Sequence, residues 1–183
     1  TFDHKVKGLQ MQGSVNGEII NSSFINNTEG GLFFSDFGSL MSSELYIDGC
    51  DFDNNGEGMA LNIHNADNLF LYNSTFTNNP NGLSHYSGNA TIENCTFNNN
   101  GGWPGAQLFY WGDLTIANCS FDNSLETGFA LYYGTASFEN CSFSNNGERG
   151  FYAHESTFSF ENCSFNNNVD YGGAQYSSTA TFN

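Results

Sequence analysis

The sequence predicts an all-β solenoid in which short parallel strands wind about one axis, three to a turn. About seven turns of 21–28 residues are expected. Three observations predict it. First, phenylalanine recurs at Phe2, Phe24, Phe52, Phe76, Phe97, Phe121, Phe143 and Phe165. Second, its surroundings recur as NSSFINN, GCDFDNN, NSTFTNN, NCTFNNN, NCSFDNS, NCSFSNN and NCSFNNN. Third, apolar and polar residues alternate in twos within each repeat, which is the period of a half-buried strand and not of a helix. One such unit cannot cover its own apolar edge, so stability has to come from stacking on neighbours.

Residues 136–158 give the frame of one turn. Ala136 and Phe138 face inward, alternating with Ser137 and Glu139. Asn140 breaks the alternation, as a corner residue in the left-handed region does. Cys141 and Phe143 face inward again, and Asn145, Asn146 and Gly147 form a wider turn. Gly150 opens a third strand, with Phe151 and Ala153 inward and Tyr152 and His154 outward. Counting from the strand-opening glycine puts Met59 and Leu61, Ala106 and Leu108, and Ala174 and Tyr176 at the inward positions of other turns. Like residues should then stack at about 4.8 Å, giving a rod of roughly 34 Å for seven turns.

These rungs resemble the right-handed parallel β-helix repeat family, and in particular polymorphic outer membrane protein repeats with their FxxN and GGA-type motifs. The matching runs are FINN, FDNN, FTNN, FNNN and FSNN, with GGL at 30–32 and GGAQ at 172–175. The resemblance covers nearly the whole chain. It implies a right-handed, single-stranded β-helix and a secreted or surface-displayed passenger. Adhesins, stalks, fibres and polysaccharide enzymes all use this fold, so it implies no single activity.

Charge narrows the partners. Nineteen acids stand against Lys5, Lys7 and Arg149, for a formal charge of −16. No basic patch for nucleic acid can be built from three cations, and docking on anionic lipid is disfavoured. No apolar run reaches membrane-spanning length. The composition, rich in Asn, Ser, Thr and Gly, fits an extracellular or cell-surface protein. The opening TFD reads like SFD at 120–122, and the closing TATFN reads like ASFE at 136–139. Residues 1–183 are therefore expected to be one domain, a segment of a longer array with uncapped ends that stacks end to end or laterally on copies of itself.

Four groups of residues are candidates for function. Cys50, Cys95, Cys119, Cys141 and Cys163 hold one rung position, which Ser22 and Ser74 fill elsewhere. A ladder of buried free thiols is expected over disulfides, because stacked neighbours have parallel Cβ directions. Asn-x-Ser/Thr sequons occur at Asn21, Asn26, Asn73, Asn89, Asn94, Asn118, Asn140 and Asn162. N-glycosylation competes there with a plain asparagine corner ladder, and on consecutive rungs glycans would crowd at about 4.8 Å. Outward aromatics, Phe33, Tyr86, Phe109, Tyr132 and Tyr152, with Tyr110, Trp111 and Tyr133 at the strand end, form an expected contact face. Residues 35–44 could supply a loop over it. The last group is acidic. DFDNNG at 51–56 opens like a calcium loop, but position twelve is Asn62 and the stretch is the repeat's own turn. Glu139 and Glu161 form an outward acid column read as a solvated face.

His4, His64, His85 and His154 share no metal-ligand spacing, and His85 is expected inside. No metal or other cofactor is expected beyond covalent N-glycans, and no catalytic set can be placed on one surface. The function expected is an extracellular structural or adhesive module in a fibre, stalk or surface assembly. The alternatives are a polysaccharide hydrolase or lyase, for which Asp48, Asp51 and Asp53 are the nearest acids, and a lectin-like binder of extracellular polysaccharide using the aromatic stripe.

Overall fold

A computed structural model of the chain describes residues 1–13, 16–36, 43–101 and 107–183, with backbone alone for 107–109. Every described element is a strand, and the strands form three parallel sheets that the chain visits in turn. The first sheet has six strands: Phe2–Asp3, Ser23–Ile25, Asp51–Asp53, Thr75–Thr77, Thr96–Asn98 and Ser120–Asp122. Single bridges at Ser142 and Ser164 carry it further. The second has eight, from Lys7–Gln12 through Gly30–Ser35, Met59–His64, Asn81–Tyr86, Gln107–Tyr110, Phe129–Tyr132 and Arg149–His154 to Tyr171–Tyr176. The third also has eight: Gly17–Ile20, Glu44–Asp48, Asn68–Tyr72, Asn89–Glu93, Asp113–Ala117, Thr135–Glu139, Thr157–Glu161 and Thr179–Phe182. Together they make about eight turns, one more than the sequence count, which took the seven intervals between the eight recurring phenylalanines.

The recurring phenylalanines account for the first sheet. Phe2, Phe24, Phe52, Phe76, Phe97, Phe121, Phe143 and Phe165 stack in register, with ring centroids 4.5–5.1 Å apart and planes within 4–16°. Phe24 through Phe143 are fully buried, each contributing about 1.5–3 kcal/mol by transfer from water. The third sheet supplies Ile19, Ile47, Leu71, Ile92, Ile116, Phe138 and Phe160 as a second inward column. Where Phe replaces the aliphatics, Phe138 and Phe160 meet Phe143 and Phe151 edge to face, a preferred aromatic geometry.

Left-handed residues make all three corners. After the third sheet come Asn21, Asn73, Asn94, Asn118, Asn140 and Asn162, at φ 48–55°, with Gly49 at 62°. After the first come His4, Asn26, Asn54, Asn78, Asn99, Asn123, Asn145 and Asn167, at φ 51–59°. After the second come Asn65, Ser87, Trp111, Tyr133, Glu155 and Ser177, at φ 45–68°. Asparagine tolerates this region better than other non-glycine residues, and this explains why it dominates two corners.

The residue after each first-sheet corner turns inward instead. Asn27, Asn55, Asn79, Asn100 and Asn146 are buried to 2% exposure or less. Asn55 Nδ2 donates to the Phe24 carbonyl at 2.9 Å and to Asn79 Oδ1 at 3.1 Å, and Asn55 Oδ1 accepts from Asn27 Nδ2 at 2.8 Å. Asn79 repeats this between Phe52 and Asn100, and Asn146 between Phe121 and Asn168. Buried amides fully paired in this way carry no desolvation penalty and fix the register. Ser124 interrupts the column.

The second sheet differs from the sequence expectation. Leu61 and Ile63, not Met59 and Leu61, align with Leu83 and His85, because Ala60 takes the place of the strand-opening glycine. Gly173 and Gln175, not Ala174 and Tyr176, align with Phe151 and Ala153, because Gly172 is the structural equivalent of Gly150. Gln107 and Phe109 likewise replace Ala106 and Leu108.

Candidate functional site

The outward position at the end of each second-sheet strand forms one column. Ser35, His64, Tyr86, Tyr110, Tyr132, His154 and Tyr176 are paired in that order along the axis. From His64 to Tyr176 every member is a ring. Centroid separations are 4.6 Å for His64–Tyr86, 5.2 Å for Tyr86–Tyr110, 4.9 Å for Tyr110–Tyr132, 6.1 Å for Tyr132–His154 and 5.1 Å for His154–Tyr176. Six rings at the strand spacing span roughly 24 Å. The left-handed corner that follows throws out Trp111 and Tyr133, 58% and 42% exposed, with their rings 5.7 Å apart. Tyr133 also meets His154 edge to face at 5.4 Å.

Of the expected contact face, Tyr86 and Tyr132 belong to this ladder. Phe33 and Tyr152 lie on the neighbouring outward column, half-buried and far apart, with Ser84 and Ala130 buried between them. Phe109 belongs to neither. Its backbone pairs with His85 and Leu131, since the strand begins one residue later than a count from Gly105 gives, and Tyr110 takes the outward place. The suggested covering loop falls on residues 37–42, outside the described residues.

The ladder's environment is partly dry. Burial depresses the His64 pKa. Burial, followed by the neighbouring Tyr110 and Tyr152 phenols, pushes the Tyr132 hydroxyl up to about 12. Two of the chain's three cations sit at this face, Lys7 over the Phe33 ring and Arg149 over the Tyr152 ring, each 5.6 Å from the centroid. The strip thus joins apolar ring surface and phenolic hydroxyls, and the two cations beside it are paired with acids, Lys7 with Glu29 at 3.8 Å and Arg149 with Glu148 at 3.6 Å. Such a surface can pack against a partner or hold a flat polar ligand.

The sequon asparagines occupy a different edge. Asn21, Asn73, Asn94, Asn118, Asn140 and Asn162 are exposed at the corner before the first sheet, Asn89 is exposed at the start of a third-sheet strand, and Asn26 is half-buried at the next corner. Asn73 Nδ2 donates to Asp48 at 2.8 Å and Asn140 Nδ2 to Asn118 Oδ1 at 3.3 Å, so amide pairing also occurs here. The left-handed requirement selects asparagine by itself: Asn54, Asn78, Asn99, Asn123, Asn145 and Asn167 share the conformation with no hydroxyl two residues on.

Behind that corner stand the cysteines, all as free thiols. Cys50, Cys95, Cys119 and Cys141 are buried and Cys163 is half-buried. Each thiol donates to the carbonyl two residues earlier, at 3.1 Å in Cys119 and 3.3 Å in Cys95, Cys141 and Cys163. Ser22 and Ser74 make the same bond.

The acids are dispersed. Asp48, Asp51 and Asp53 accept from Asn73, Thr75 and Asn78 of the next rung at 2.7–2.8 Å. Phe52 of the calcium-like stretch is core and Asn55 belongs to the buried amide column. Glu139 and Glu161 are exposed and in register. Among the described residues no group of three or more His, Cys, Asp or Glu converges on one metal position. His85 is fully buried, and burial pushes its pKa down to about 4.

The family model for the right-handed β-helix region matches residues 1–137 and 42–183, which together cover the chain. The chain belongs to this family. No curated protein and no solved structure matches it. In this β-helix the sequence reading found Tyr86, Tyr110 and Tyr132 among the outward aromatics but not their single column with His64, His154 and Tyr176, because counting from the wrong strand-opening glycine shifted the register of several strands. The buried amide column also escaped it, because asparagine in a turn reads as solvent-facing. The doubled Asn that follows six of the eight recurring Phe, all but Phe2 and Phe121, was the available signal.

Proposed function

We propose that this β-helix is an extracellular structural or adhesive module, a subunit of a fibre, stalk or surface layer, which meets its partners along the aromatic ladder. The observation that carries the proposal is the unbroken run of rings from His64 to Tyr176 with Trp111 and Tyr133 beside it. The ladder rings are half-buried up to the exposed Tyr176, with Trp111 and Tyr133 exposed beside them; aromatic strips of this extent that reach the surface mark interaction surfaces, and Tyr and Trp are the residues interfaces favour. The partner is a second copy packed side by side. The FxxN and GGA-type runs, which resemble polymorphic outer membrane protein repeats, support surface display, and the exposure of the corner asparagines supports N-glycans on the sequons.

A second reading, a lectin-like binder of extracellular polysaccharide, draws support from Trp111 and Tyr133. Bulky residues are seldom held at positive φ, and these two present rings to solvent at that cost. The test combines sedimentation of the wild type and a Tyr110→Ser/Tyr132→Ser variant with a glycan array. Concentration-dependent association lost in the variant upholds the structural reading. A monomer at every concentration overturns it, and glycan binding by that monomer, lost in a Trp111→Ala/Tyr133→Ala variant, puts the lectin in its place.

A further inference from the structure

We propose that the stacked thiols of Cys95, Cys119, Cys141 and Cys163 form two-coordinate sites for a soft monovalent cation of the copper group, Cu(I) or Ag(I), held between successive rungs. The argument begins with register. Thr96 pairs with Ser120, and Ser142 bridges to Ser120 and Ser164, while the Ser120, Ser142 and Ser164 N–H groups donate to the carbonyls of Cys95, Cys119 and Cys141 at 2.9–3.1 Å. The four cysteines therefore stand one above another at the strand spacing. Their side chains leave the backbone in parallel, across the solenoid axis, and the Cys95 N–H donates to Cys119 Sγ at 3.5 Å, so that sulfur sits against the neighbouring rung's cysteine.

This arrangement suits a disulfide poorly, since each bridge would have to turn two parallel Cβ–S bonds toward each other. It suits a linear S–M–S unit well. A metal–thiolate bond is about 2.3 Å, so two collinear bonds span about 4.6 Å, against a rung spacing of about 4.8 Å. A cation midway between two sulfurs, on a line parallel to the axis, makes near-perpendicular angles with both Cβ–S bonds, as divalent sulfur prefers. Thiolate sulfur selects soft cations such as Cu(I) over hard ones.

The open corner surface over these rungs is lined by their asparagines, cysteines and hydroxyl residues, among them the buried Cys95, Cys119 and Cys141, and a local opening of this corner would admit the cation. The step balances as two thiols plus one monovalent cation giving a bis-thiolate complex and two protons, and no electrons move. Uptake releases protons, so it is expected to strengthen with rising pH.

The chain supplies its own control. Cys50 has Ser22 and Ser74 on its neighbouring rungs, so it has no thiol partner, and the same serines show that serine fits the position. Two double variants retain equal numbers of cysteines. Cys119→Ser/Cys141→Ser leaves only separated thiols, whereas Cys95→Ser/Cys163→Ser keeps one adjacent pair. Each protein, reduced and kept anaerobic, is titrated with buffered Cu(I), with ultraviolet charge-transfer absorption and X-ray absorption as readouts and circular dichroism as the folding control.

The adjacent-pair variant is expected to bind about 100-fold more tightly than the separated one and to show two sulfur neighbours. A Cys50→Ser variant is expected to match wild type. Equal affinity in the two double variants, or loss of binding in Cys50→Ser, overturns the proposal. None of these readouts depends on the aromatic face.

Discussion

Ser124→Asn is expected to stabilise the protein. Where the preceding rung also carries the asparagine, at Asn55, Asn79, Asn100 and Asn168, the inward amide accepts from that rung's amide and backbone N–H and donates to a Phe carbonyl. Asn100 shows the pattern, accepting from Asn79 N at 3.0 Å and Asn79 Nδ2 at 3.1 Å and donating to Phe76 O at 2.9 Å. Ser124 is too short for these contacts, and its buried hydroxyl has no partner. Its own N–H is still held by Asn146 Oδ1 at 2.9 Å, so the backbone is already placed for an asparagine. Restoring the amide adds two accepted bonds, from Asn100 N and Nδ2, and one donated to Phe97 O. At about 1 kcal/mol each, less about 1 kcal/mol for freezing the side chain, the net gain is about 2 kcal/mol. For a chain of this size that raises Tm by roughly 4–8 °C. Urea and thermal unfolding followed by circular dichroism measure it. An unchanged or lower Tm would refute the reasoning, since it would mean that the gap is already satisfied or cannot admit the amide.

Other perturbations probe other layers of the fold. An unfolded histidine titrates near 6.5, whereas buried His85 is held at about 4. Stability is therefore full above pH 6.5 and is lost as pH falls toward 4, by about 3 kcal/mol. A Tm–pH series should show that acid limb, and His85→Leu should flatten it. Phe97→Ala, in the middle of the ring stack, should cost about 3–5 kcal/mol in denaturant titration, and a cost under 1 kcal/mol would mean that the stack does not hold the core. Asn118→Ala should cost about 1–2 kcal/mol by forcing alanine to positive φ, and Asn118→Gly should cost much less. Equal costs would place the role of Asn118 in its side-chain bonds instead.

The sequence was most legible where a large apolar residue repeats at a fixed offset from a corner. The phenylalanine stack, the left-handed Asn140 corner and the inward cysteine position all follow from that offset. The second sheet was harder because its strand-opening residue is not always glycine. Ala60 substitutes for it, and a doubled Gly172–Gly173 offers two starting points. An error of one residue reverses inside and outside, and that put Phe109 in the register place that Tyr110 holds and hid Tyr110's place in the ladder. The inward asparagines were hidden for a chemical reason. Polarity predicts exposure only for groups without partners, and each of these amides finds partners on the rungs above and below.

The ladders share one further property. Thr135–Glu139 and Thr157–Glu161 pair at an offset of 22 residues, and Cys141 and Cys163, Asn146 and Asn168, and Phe143 and Phe165 keep the same offset. A tandem duplication of residues 135–156 would therefore give each new side chain a copy of the neighbour its original already has. The rod would grow by about 4.8 Å and no new kind of contact would be required. Length in this protein is thus a quantity that recombination within the gene can adjust in single steps, like the graduations of a ruler, while the cross-section stays fixed.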